Sequence, residues 1–236
     1  MRALKENTID KAEKYNAFFS DSDSNSQEED RKADNKKRLA LEHALDIRKF
    51  EIEMYWKRAT YFWTFIGATL AGFFLLISRM DLDKRNSTDG IILLALCSLG
   101  FTFTYCWYLV NRGSKFWQNN WERHVDMLED EIIGPLYKTA INMQSAEFWK
   151  LHKEYPYSVS KINQLLSLFL VFTWIVFGIW ASIYFDLFDK QNLIAYALCL
   201  ITFIFVLMVS FFGLSELNLQ EKDNREIFVK RNNFLK

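Results

Sequence analysis

Apolar and polar residues are segregated into long blocks along this chain. Four windows, residues 59–78, 90–111, 162–185 and 191–215, contain no Asp, Glu, Lys or Arg. A helix needs about 20 apolar residues to cross a hydrocarbon core about 30 Å thick, so each window predicts a membrane-spanning helix. One such run can be a buried core helix, but the charged remainder of this chain is too small to cover four. The pattern predicts an all-α protein with four transmembrane helices and argues against the soluble classes.

No Gly or Pro occurs between residue 34 and Gly67. Residues 35–79 therefore predict one helix, a stalk continuous with the first span and reaching roughly 35 Å beyond the membrane at about 1.5 Å per residue. On a helical wheel, Ala40, His43, Ile47, Phe50 and Met54 form one apolar stripe. Leu41, Leu45, Ile52 and Trp56 form a second, nearly opposite, with Glu42, Asp46, Lys49, Glu53 and Lys57 between them on one side and Arg48 and Glu51 on the other. A surface helix needs one stripe. Two predict packing partners on both sides, one from the same chain and one from a neighbouring copy, hence a homo-oligomer.

The second span, 90–111, runs into Asn111-Arg-Gly-Ser114, where Gly113 suits a helix stop and Ser114 the cap of a new helix over 115–133. That helix carries Trp117, Trp121, Val125, Leu128 and Ile132 on one stripe and Lys115, Glu122, Asp126, Glu129 and Asp130 on its other face, and Gly134-Pro135 ends it. A shorter helix is expected over 145–155. With the stalk, the segment 112–161 predicts a helical cytoplasmic layer in which the Trp117/Trp121 stripe packs on one stalk stripe. Spans follow at 162–185 and 191–215, then a tail at 216–236.

Residues 1–34 read as a tether. Residues 20–30 are an acidic, Ser-rich tract that cannot bury enough apolar surface to order itself. Residues 1–19, with Leu4, Ile9, Ala12, Tyr15 and Phe19, have an amphipathic spacing that also suits a short helix docking on a cytoplasmic protein partner. The polar first 58 residues offer no apolar stretch with a cleavage site, so the first span is expected to act as its own insertion signal.

Charge sets the orientation. Residues 1–58 hold 13 Lys and Arg, 112–161 hold seven and 216–236 hold five, against three in 79–89 and one in 186–190. Lys and Arg near spans favour the cytoplasmic side, which places both termini and the central segment inside a multi-pass inner-membrane protein. The outer loops are too short to build a site. The 29 basic and 29 acidic side chains balance, and no basic patch stands free of acids, so nucleic acid is not an expected partner.

Inside the first span, Thr60, Thr64, Ala68 and Gly72 recur every four residues, a spacing that lets helices approach closely in lipid. Tyr55, Trp56, Lys57, Arg58 and Tyr61 at its start, and Trp107 near the end of the second span, read as membrane-interface anchors.

Candidate chemistry is sparse. His43, His124 and His152 lack partners at metal-ligand spacing, so no metal is expected. Cys97, Cys106 and Cys199 lie within spans and read as small hydrophobes without disulfides. The acids Glu122, Asp126, Glu129, Asp130 and Glu131 could hold a divalent ion or serve as acid and base, but read as a solvated or ion-paired helix face. There is no phosphate loop and no nucleophile elbow; no cofactor and no enzymatic activity are expected. The spans contain no ionisable carboxylate or cation, which argues against ion-coupled transport and leaves a pore lined by Ser98, Thr102, Thr104, Thr173 or Ser210 as an alternative.

The stretch Glu51-Ile-Glu-Met-Tyr-Trp-Lys-Arg-Ala-Thr-Tyr-Phe-Trp63 resembles a known family, as does Gly113-Ser-Lys-Phe-Trp-Gln-Asn-Asn-Trp-Glu-Arg-His-Val-Asp126 with Leu128-Glu-Asp-Glu-Ile-Ile-Gly-Pro-Leu-Tyr-Lys138. Both are similar to the RipA-type octameric membrane proteins of bacteria. The resemblance covers about residues 35–215. It implies a bacterial cytoplasmic-membrane protein assembling as a ring of eight, with no catalytic or ligand residue to carry over. The reading that combines pattern and resemblance is a non-enzymatic membrane scaffold or sensor, with an oligomeric channel as the alternative.

Overall fold

A computed structural model of the chain describes residues 27–81, 86–140, 155–189 and 192–215. The possible docking helix in 1–19, most of the acidic tract, most of the short helix expected over 145–155 and the tail 216–236 lie outside the described residues. Among the described residues there are four helices and no strands: α1 Gln27–Arg79, α2 Ser87–Ile132, α3 Val159–Tyr184 and α4 Leu193–Phe212. Each contains a window long and apolar enough to cross a membrane.

Two boundaries differ from the sequence expectation. Helix α1 begins at Gln27, inside the tract expected to be a tether. Nothing from Gln27 onward is Gly or Pro until Gly67, so no helix-breaking residue stops the helix there. Helix α2 runs unbroken through Gly113, where a stop and a new cap were expected. A helix-interior glycine costs only about 1 kcal/mol. Against that, Asn111 and Ser114 are buried, and Arg58 Nη1 donates to Ser114 Oγ at 3.0 Å. Ser114 is thus an interhelix acceptor in the middle of α2. Further along, Ser158 caps α3 by accepting from the Lys161 N–H, which starts that helix at Val159.

The chain divides into two compact units, both built partly from α1 and α2. In the charged unit (1–49, 119–142 and 215–236), Leu41 and Ala44 of α1 bury against Val125 and Leu128 of α2, flanked by Ala40, Leu45, Trp121, Met127 and Ile132. In the membrane unit (50–118 and 143–214), Phe73, Leu93, Leu94, Cys97, Trp174 and Ala181 form the core, with Phe185, Leu187 and Ala195. Rings interlock there: Phe73 stacks on Phe177 at 4.7 Å and meets Trp174 edge-on at 5.9 Å. Helix α2 is the central helix, with 39% of its apolar window buried, and α4 the peripheral one, with 6%.

The inward face of α1 coincides with neither expected stripe as a whole, although Leu41 of the second stripe lies on it. It follows Leu41, Ala44, Tyr55, Ala59, Ile66, Thr69 and Phe73, which are buried. This sector runs between the stripes on the side that carries Arg48 and Glu51. Ile47, Ile52 and Met54 are half-buried, while Phe50 and Trp56 are exposed. An apolar stripe can sit beside the buried face instead of on it when paired charges occupy the seam, and Arg48 is paired as described below.

Candidate functional site

The described groups that could carry function form two sites, one in each unit. In the charged unit, α2 ends at Ile132 and the chain turns through Gly134, whose φ of +75° is a left-handed conformation that favours glycine. The turn folds Tyr137 and Lys138 back onto the helix. Glu129 is fully buried, and its carboxylate accepts from the backbone N–H of Tyr137 at 2.7 Å and of Lys138 at 3.2 Å. A buried carboxylate is tolerated only when its oxygens are engaged in this way. Around it, Lys138 pairs with Asp130, Arg48 approaches Glu122 at 3.7 Å and lies 5.2 Å from the Tyr137 ring centroid, and Lys37 pairs with Glu131 at 2.5 Å. The acids expected to form one solvated or ion-paired face are thus split: Glu129 is an internal brace, while Glu122, Asp130 and Glu131 lie against cations.

Burial raises the Asp126 carboxyl above the usual range. Glu129, Glu122 and Asp130 add to the shift and Lys138 opposes it. Burial also lowers the His124 imidazole below its ordinary value of 6.5, beside the Trp121 ring at 5.4 Å. Among the described residues, no group of three or more His, Cys, Asp or Glu is placed to hold a metal ion.

The membrane unit contains a cavity of about 980 Å³ walled by α2, α3 and α4. Helix α4 is pinned at both ends. Asn192 Nδ2 donates to Ser87 Oγ at 3.1 Å, the Tyr196 hydroxyl donates to the Phe188 carbonyl at 2.9 Å, and Tyr105 and Ser210 share a 2.8 Å hydrogen bond. Between the pins, Cys199, Thr202, Phe203 and Val206 face the cavity. Its opposite walls are Leu94, Cys97, Ser98 and Phe101 of α2 and Trp174, Ile175, Gly178 and Ile179 of α3, with Asp186 and Asp189 where α3 turns toward α4. Of the groups expected to line a pore, Ser98 lines this cavity. Thr104 is buried and bonded to the Gly100 carbonyl, Thr173 is bonded to the Phe169 carbonyl, and Ser210 holds Tyr105.

Several expected anchors are internal. The Tyr55 hydroxyl is buried and accepts from Asn163 Nδ2 of α3 at 2.6 Å. Trp107 is 1% exposed and meets Trp63 edge-on at 6.2 Å. Arg58 is drawn toward Ser114 and lies 3.8 Å from Glu51. For Tyr55 and Arg58 a polar tip next to an apolar window found an interhelix partner, whereas Trp107 is held by ring packing, and the window's composition shows neither. Trp56, Lys57 and Tyr61 are exposed, with Lys57 on Glu53 at 2.7 Å. Ala68 is exposed, and even a Cβ added at Gly72 would come no nearer than 3.7 Å to Leu96, so the small-residue face meets little of its own chain. Trp117 and Trp121 are half-buried, Trp121 against the Leu41 cluster and Trp117 edge-on to Phe116. The sequence reading missed the cavity and the Glu129 brace. Only the Gly134-Pro135 turn signal pointed toward the brace.

The Octameric membrane protein family (8xMP) matches residues 39–184. The chain belongs to this family. The match spans the buried face of α1, all of α2, the Glu129 turn and α3. No curated protein and no solved structure matches the chain. Family membership and the four apolar helices make this a multi-pass membrane protein of an octameric family.

Proposed function

We propose that the protein is a non-enzymatic scaffold or sensor of the bacterial cytoplasmic membrane, assembled as a ring of eight with both termini in the cytoplasm. The observation that carries the assembly reading is in the charged unit, away from the most apolar helix windows. There Leu39, Ile133, Leu136 and Tyr137 stand exposed. Exposed apolar side chains of this size suit a contact surface, and an octameric family supplies the partner. The non-enzymatic reading is supported by Glu129, whose two oxygens are engaged by its own turn instead of facing a cleft. The segment 1–19 remains the proposed contact for a cytoplasmic protein.

The channel reading draws on the cavity and its Ser98 wall. Purified protein in lipid nanodiscs and planar bilayers separates the two. The scaffold reading expects eight subunits by native mass measurement and no unitary currents. Currents that disappear in Ser98→Val would establish the pore instead.

A further inference from the structure

The cavity of the membrane unit has the dimensions and polarity of a lipid site. Along α3 it extends from Trp174 to Ile183, about 14 Å at about 1.5 Å per residue. That is close to the depth of one leaflet in a hydrocarbon core about 30 Å thick. Its volume of about 980 Å³ lies at the upper end of ligand pockets, about 300–1,000 Å³. Ile175, Ile179, Ile183 and Phe203 line it yet keep 39–70% of their surface exposed, so it opens sideways between α3 and α4. Its body is apolar, with hydroxyls such as Ser98 and Thr202, while its charged lining residues are Asp186 and Asp189, both at the end of α3. Each carboxylate offers about four acceptor positions, so a protein partner does not exhaust it.

From this polarity we infer that the cavity holds one acyl chain of a membrane lipid whose ammonium-bearing headgroup sits at Asp186 and Asp189. Phosphatidylethanolamine has that chemistry. The inference is independent of the scaffold and channel readings.

The test uses the full chain, delipidated in detergent and re-exposed to phosphatidylethanolamine or phosphatidylglycerol with identical acyl chains, with bound lipid counted per subunit by native mass spectrometry. Wild type is expected to retain the ethanolamine lipid with roughly two- to fivefold preference, the scale expected of exposed ion pairs. Asp186→Asn with Asp189→Asn should abolish the preference while leaving chain binding. Asn tolerates the left-handed conformation that Asp186 adopts at φ +49°, so this variant keeps the turn. Gly178→Leu, which projects carbon into the cavity from a position where a Cβ meets Cys97 at an ordinary 3.7 Å, should lose retention of both lipids. Equal retention of the two lipids by wild type, a preference that survives the double Asn variant, or undiminished binding in Gly178→Leu would each overturn the assignment. So would a cavity closed by a neighbouring subunit's side chains in an experimental structure of the assembly.

Discussion

Gly100 and Trp174 make a close approach between α2 and α3 in the membrane core. A Cβ on residue 100 would lie 2.2 Å from the Trp174 ring, deep in overlap. Gly100→Ala should therefore lower stability by about 1–3 kcal/mol, the usual cost of overpacking, read as a fall in the thermal midpoint of the solubilised protein. Combining it with Trp174→Leu should cost less than the sum of the single changes; strict additivity would refute the contact. In the charged unit, Glu129→Ala strips the acceptors from two backbone N–H groups, a loss of about 1–3 kcal/mol for each one left buried. Glu129→Gln keeps one acceptor oxygen and should recover part of it. A titration separates His124 from its neighbours. Its folded pKa lies below the unfolded 6.5, so the folded state binds fewer protons, and stability is complete above 6.5 and lost as pH falls below it. Asp126, with its folded pKa raised above 3.8, acts in the opposite sense, withholding stability as pH rises through that range. Melting His124→Gln across pH 5 to 7 should show a shallower acid slope than wild type, and an unchanged slope would remove His124 from the account.

At the scale of elements, the continuity of α2 is the consequential feature. A break at Gly113 would make the membrane span and the Glu129-bearing segment separate helices joined by a hinge. Instead the helix Ser87–Ile132 is continuous through Gly113. A Cβ at 113 meets nothing within 4 Å, so Gly113→Ala should stabilise the protein by about 0.5–1 kcal/mol through helix propensity. A glycine that truly stopped a helix would give the opposite sign, so the thermal midpoint of this one variant decides whether the helix is continuous at Gly113. Helix α4 is the reverse case. It has the most apolar composition of the four, yet only Ala195 is buried, and its order relies on hydrogen bonds at its ends.

For the whole molecule, apolar surface that one chain leaves open must meet lipid or another copy. The exposed Leu39 and Leu136 of the charged unit belong to the second class in the assembly proposed above. Leu39→Glu with Leu136→Glu should reduce the octamer to smaller species by native mass measurement while changing the fold's helix content little; a full octamer would show that the contact lies elsewhere. The chain alone determined the all-helical class, the four spans and the turn at Gly134, because these depend on local quantities: runs of uncharged residues, helix-breaking residues and backbone sterics. The tertiary structure decided which face of α1 turns inward, the survival of α2 through Gly113, the inward use of Tyr55, Arg58 and Trp107, and the existence of the cavity. Each of these depends on a partner distant in sequence, such as Asn163 for Tyr55 at 2.6 Å or Ser114 for Arg58 at 3.0 Å. A wheel of one helix ranks its faces by their own polarity, whereas burial is set by what the facing helix can pair, and that information is not local.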